Sequence, residues 1–147
     1  MPTTIKSLYL IGSLRNPDIP IVANEIEAST GIEVFDDWYS PGPQTDEKWK
    51  EHEQLRGRTF LEALHGPHAV DVFEFDKTHL DRCDAAALLA PAGKSAHMEL
   101  GYVIGKGKPG FYILEPENDR WDVMLQFATK IFASPNSFIS YLKRIQV

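Results

Sequence analysis

Short apolar runs alternate with longer, more polar stretches along this chain. Ile5 to Ile11 is mostly apolar and ends at Gly12-Ser13, which predicts a buried first strand. Asp18 to Ala28 predicts a helix, opened by Asn16-Pro17 with proline in the first turn. Gly31 to Phe35 predicts a short second strand. Asp36 to Thr45 is polar, aromatic and rich in Pro and Gly, and predicts a loop. Asp46 to Leu64 is strongly charged and predicts a helix closed by Gly66. Pro67 to Arg82 predicts another, with Val70, Phe73 and Leu80 near one face. Ala85 to Ala90 is the next strand, Ser95 to Gly105 a helix, and Gly110 to Leu114 a strand. Trp121 to Ala133 and Ser137 to Arg144 predict closing helices. Four strands stand out, and a fifth, where present, is expected near Phe132 to Phe138.

Apolar strands alternating with helices imply a mostly parallel sheet covered on both faces. The expected architecture is a flavodoxin-like or Rossmann-like three-layer α/β sandwich with four or five strands. A single domain spans 1–147, with no internal repeat. In such a sheet the Gly12 and Gly93 turns lie at the same end and frame one pocket. Asp36 to Tyr39 faces that pocket too.

Composition narrows the partners. A net charge of −6 and an isoelectric point near 5.3 argue against polymeric nucleic acid or an anionic membrane. A small nucleotide needs only local positive charge. Cys83 is alone, so no disulfide framework or cysteine zinc site is expected. His52, His65, His68 and His79 lack metal-ligand spacing. Neither a metal nor a cofactor is called for. Met1 to Ile11 lacks a basic head and a long apolar core, and no run reaches membrane-spanning length, so a cytoplasmic location is expected.

The chemistry concentrates between Asp84 and Tyr102. An apolar run ends at Pro91, the small turn Ala92-Gly93-Lys94-Ser95 follows, and a helical pattern carries Glu99 in its second turn. The turn's amides suit an anion or sugar hydroxyls. A nucleoside triphosphatase reading of Gly93-Lys94-Ser95 fails, because Leu88 stands where the motif requires glycine. A carboxylate beside a polyhydroxyl ligand suggests glycosyl chemistry. The plainer reading is that Glu99 complements the helix dipole. Arg15 follows the first turn and Lys94-Ser95 the later one, so two cations and two hydroxyls converge on one anion-sized spot. Trp38, next to Asp36 and Tyr39, either stacks on a base or packs a helix onto the sheet. Asp84 reads as a turn residue. His97 lies two positions before Glu99 and points to a different helix face.

The ordered set Tyr9-x-x-Gly12-Ser13, Asp76, Asp84, Glu99-Leu100-Gly101-Tyr102 and Gly107-Lys108-Pro109 resembles the nucleoside 2-deoxyribosyltransferases. It also resembles their relatives, the 2′-deoxynucleoside 5′-monophosphate N-glycosidases. The resemblance covers nearly the whole chain and implies a flavodoxin-like fold in homo-oligomers with sites near subunit interfaces. It implies N-glycosidic cleavage with Glu99 as nucleophile, Asp76 as the carboxylate handling the base or its proton, and Tyr9 orienting the glutamate. Gly12 and Ser13 would line the sugar or phosphate end, and Asp122 would reach a neighbouring subunit's site. Transferases often carry a carboxylate where Gly93 stands. Its absence, with Arg15, Lys94 and Ser95, favours a nucleotide hydrolase, whereas Asp122 would repel a phosphate. Cleaving a C1′–N bond builds positive charge that a carboxylate below C1′ stabilises, while a second acid helps the base leave. Three alternatives are a deoxyribosyltransferase, an NAD glycohydrolase of the TIR type, and a non-catalytic nucleotide-binding module.

Overall fold

The computed structural model describes residues 4–146. Five parallel strands form one sheet in the order β2-β1-β3-β4-β5. They are β1 (Ser7–Ile11), β2 (Glu33–Phe35), β3 (Ala85–Leu89), β4 (Gly110–Ile113) and β5 (Lys130–Phe132). β1, β3 and β4 are buried throughout, which is why their sequences read as apolar runs rather than as alternation. The helices are α1 (Asp18–Thr30), α2 (Thr45–Leu55), α3 (Phe60–Leu64), α4 (Pro67–Arg82), α5 (Lys94–Gly105) and α6 (Pro135–Ile145).

Strand alternation divides the interior into two layers. Leu8, Leu10, Ala87, Phe111 and Ile113 pack with α1 and α6 through Ile19, Ile26, Phe138 and Leu142. Tyr9, Ile11, Ala86, Leu88 and Tyr112 face the other way, against Leu80, Ala96, Leu100 and Val103 of α4 and α5. The expected three-layer α/β sandwich is therefore present, with every strand's C-terminal end on one edge.

Three expectations change. The helix expected over Asp46 to Leu64 is two helices. Gly57 adopts φ +73°, and Thr59 opens α3 with a reciprocal capping box to Glu62. Gly66 caps the start of α4 rather than closing that helix. The Asp36 to Thr45 loop contains a 3-10 turn at Asp37–Tyr39. The largest correction is Trp121 to Ala133, which is not a helix: a 3-10 turn, Val123–Phe127, leads into β5. The free edge of β4 claims that segment. Thr129 N–H donates to Gly110 O at 2.7 Å, and Gly110 N–H donates to Thr129 Oγ1 at 2.9 Å. Met124, Phe127 and Ile131, which fit helical spacing, are exposed rather than core.

The sheet and α5 approach closely at Gly110. A Cβ there would lie 2.5 Å from Ile104 Cγ1 and 3.0 Å from Leu100 Cδ1. Gly110→Ala is expected to lower unfolding stability by about 1–3 kcal/mol, the usual cost of overpacking. Urea denaturation with an unchanged m-value checks this.

Candidate functional site

The C-terminal edge of the sheet gathers the turns after β1, β2 and β3, because those strands are neighbours. Tyr9 lies in the middle of β1, paired with Ala86 on one side and Phe35 on the other. Its position in the alternation turns it toward α5. Ala86 leaves space for the ring, which packs on Phe35 with centroids 5.0 Å apart. The hydroxyl donates to Glu99 Oε2 at 3.2 Å. Gly93 caps α5, so Glu99 sits in that helix's second turn.

Asp76 projects from α4 toward the same place. Burial pushes Glu99 up to about 7, and the negative charge of Asp76 adds to the shift. Burial pushes Asp76 up to about 6. Repulsion between two carboxylates is mutual, so the pair titrates as a unit. Burial first, then the charges of Glu99 and Asp76, push the Tyr9 hydroxyl upward, so it stays a proton donor in the hydrogen bond. The structure thus brings together Tyr9, Asp76 and Glu99, which are far apart in sequence.

The two turns flank this cluster. Gly12 and Ser13 follow β1, Ser13 Oγ accepts the Arg15 N–H at 3.1 Å, and the Arg15 side chain is exposed. Asn16, just before α1, accepts the Asp18 N–H on its Oδ1 at 3.0 Å. Gly93, Lys94 and Ser95 are exposed at the start of α5, beyond the adjacent strand β3. The Ala90–Pro91 peptide in the same turn is cis.

The remaining predicted residues divide. Asp36 is half-buried at the end of β2, its carboxyl pushed up by burial and by Asp37 and Glu27. Trp38 is committed to the fold: its Nε1 donates to Leu10 O at 2.8 Å, and its ring packs against both core layers. The indole is thus held against the sheet, with its ring partly exposed. Asp122 caps the 3-10 turn, accepting the Met124 N–H at 2.9 Å, and its charge reaches Tyr112. It lies beyond β4, apart from the Tyr9 cluster. Asp84 is a turn residue as expected, its Oδ2 accepting from Lys6 N–H at 2.8 Å and Ser7 N–H at 3.1 Å.

Sequence reasoning missed the link between α5 and β4. His97 Nε2 and Tyr112 Oη lie 3.0 Å apart, and His97 Nδ1 is 2.7 Å from Gly93 O. The alternation of β4 was the available signal, since it places Tyr112 on the same sheet face as Tyr9. His79 was also missed; it stacks on Phe35 at 3.9 Å, one turn beyond Asp76. Among the described residues there is no cluster of His, Cys, Asp and Glu suited to a metal, and no helix is long and apolar enough to cross a membrane.

No protein-family model matches the chain, and no curated protein matches it by sequence. Solved structures do match its fold. One is a 2-deoxyribosyltransferase from Bacillus psychrosaccharolyticus, 20% identical, with TM-score 0.61 over 92% of this chain and 91% of that one. Another is a conserved protein from Enterococcus faecalis V583, 9% identical, with TM-score 0.64 over 95% of this chain and 98% of that one. The fold is the one these proteins share.

Carboxyls held above their ordinary range favour the folded state while protonated. Their contribution is complete below the unfolded value and is lost as pH rises through about 6 to 7. Glu99→Gln is therefore expected to be as stable as the wild type near pH 4 and more stable at pH 8, by up to about 3 kcal/mol. Paired denaturation curves at the two pH values check this; an equal difference at both would contradict it.

Proposed function

We propose that the chain cleaves the N-glycosidic bond of a nucleoside 5′-monophosphate, releasing the free base by hydrolysis. The observation that carries the reading is Glu99, withdrawn from water, hydrogen-bonded to Tyr9 and faced by Asp76. Near neutral pH this pair passes through a state holding one proton, which leaves one carboxylate and one acid. Glu99 attacks C1′ as the bond to the base lengthens, and a sugar ester forms. The shared proton rests mainly on Glu99, whose carboxyl is held higher than that of Asp76, so reaction proceeds from the form in which the proton has passed to Asp76, which delivers it to the departing base. Tyr9, donating to Oε2, fixes the direction of attack. Water then hydrolyses the ester, its hydroxyl bonding to C1′ and its proton passing to Asp76, which returns Glu99 as the carboxylate and Asp76 as the acid. A binding module would have no use for two carboxylates held together against their own repulsion.

Arg15 and the Gly93-Lys94-Ser95 turn support a 5′-phosphate, since both stand at one sheet edge with exposed cations beside the N-terminus of the twelve-residue α5. Deoxyribose transfer between bases is the second reading, favoured by the fold shared with the Bacillus psychrosaccharolyticus enzyme. We also take the chain to act as at least a homodimer. Phe60, Leu61, Phe73, Trp121, Met124 and Phe127 are each at least 60% exposed, too many large apolar side chains for a solitary surface. Asp122, on one of these apolar stretches, would then approach a neighbour's site.

Glu99→Gln is expected to abolish turnover of deoxynucleoside monophosphates with circular dichroism unchanged. Mass spectrometry of quenched wild-type enzyme is expected to find a sugar ester on Glu99. Intact turnover in the folded variant removes the nucleophile assignment, and base exchange in place of hydrolysis when an acceptor base is added selects the transferase.

Arg15→Ala and Lys94→Ala are each expected to cost about 1.5–3 kcal/mol, roughly ten- to hundredfold in kcat/KM, for the monophosphate. The unphosphorylated nucleoside should be spared. Equal wild-type rates on both substrates would discard the phosphate pocket.

A further inference from the structure

Of the sixteen residues of α4, Leu80 alone is buried, although this helix carries Asp76. Val70, Val72, Phe73 and Phe75 are exposed. The helix is therefore not seated by an apolar face, and its placement depends on contacts near its C-terminal end. Besides the His79 stack on Phe35 and the Arg82–Glu33 ion pair at 3.0 Å, Lys108, in the Gly107-Lys108-Pro109 stretch before β4, supplies one. Its Nζ donates to Cys83 O at 2.8 Å, to Leu80 O at 3.4 Å and to Asp81 O. A helix's last carbonyls lack intrahelical donors and carry partial negative charge. An ammonium has three donors and a full positive charge, and it answers both deficits.

A second contact ties α4 to α5. Tyr102 Oη donates to Asp81 Oδ1 at 2.5 Å. Tyr102 lies three residues after Glu99 on α5, and Asp81 lies five after Asp76 on α4, so this bond sits about one turn below the carboxylate pair. Lys77 Nζ reaches Asp81 Oδ2 at 3.1 Å, and the ammonium groups of Lys77 and Lys106 lie 5.8 and 5.7 Å from the Tyr102 ring.

We propose that Lys108, with Tyr102 as a second anchor, is a positioning residue that sets the separation of Asp76 from Glu99 by holding the end of α4 against the sheet and α5. This rests on the reading of the two carboxylates as the reacting pair. Lys108 does not touch that pair and acts through the helix. Its loss frees α4 to move away from α5, which removes the Asp76 charge from Glu99 and admits water. The groups facing Glu99 are Tyr9 from β1 and Asp76 from α4, so the Glu99 titration reports the separation directly.

The test is a carboxyl-carbon NMR titration of the full chain without substrate, on wild type, Lys108→Met and Tyr102→Phe, alongside kcat and KM. In both variants the Glu99 midpoint is expected to fall from about 7 toward the ordinary glutamate range. In both, kcat is expected to drop by up to about 100-fold, the scale of an ångström misplacement, with a smaller change in KM. Unchanged Glu99 and Asp76 midpoints in folded Lys108→Met would overturn the proposal and leave Lys108 as a helix cap. Should Lys108→Met not fold, Tyr102→Phe decides, since it lacks only one hydroxyl; unchanged midpoints there overturn the proposal equally. A wild type without glycosidic activity, combined with shifted midpoints in the variants, removes the functional reading while supporting the placement.

Discussion

One carboxylate kept from water, with a single hydroxyl as its partner, organises this molecule. Glu99 is out of its preferred solvent, and the hydrogen bond from Tyr9 offsets only part of that cost. For the hydroxyl to arrive there, β1 must hold its register, because a one-residue slip would turn Tyr9 to the α1 and α6 layer. The register is held by pairing with β2 and β3 and by Asp84, whose carboxylate receives the Lys6 and Ser7 amides at the start of the strand. The alanine run of β3 then makes room for the Tyr9 ring, in a layer that also buries Phe35 and Tyr112.

The two faces of the sheet solve different problems. The α1 and α6 layer is aliphatic and aromatic, with Phe111, Phe132 and Phe138 packed at centroid distances between 5.0 and 6.0 Å. It carries no part of the candidate chemistry. The α4 and α5 layer is assembled more from directed polar contacts, and there the two carboxylates meet. A site whose members repel one another gains from a rigid opposite face, because the strain between the carboxylates then has nowhere to relax except α4.

The inner strands β1, β3 and β4 were legible in the sequence because they are buried on both faces and so appear as apolar runs. The turn before α5 was legible for a related reason: a buried run, a Pro-Gly break and a new helix mark where a strand delivers the chain to the sheet edge. Glu99 and Tyr9 followed from those landmarks and the family resemblance. Beyond them, local pattern failed for identifiable causes. Three residues of β5 carry no periodicity, so the spacing of Met124, Phe127 and Ile131 suggested a helix although none of them is buried. The break between α2 and α3 was written in Thr59 and Glu62, whose capping box is hidden within a run of charge. Trp38 could not be assigned because its partner, the Leu10 carbonyl, is twenty-eight residues away. The lysine before β4 is the same case: its three carbonyl partners lie twenty-five to twenty-eight positions earlier, and nothing near it in sequence announces them.

The sheet's outermost strands, β2 and β5, are three residues long, and each begins with an exposed charge, Glu33 at one side and Lys130 at the other. So short a ladder offers few unpaired amides, and a charge at its start discourages another strand from docking. The sheet is therefore closed to growth by strand addition. The backbone ladder is thereby kept within each copy, and recognition of another molecule falls to side chains.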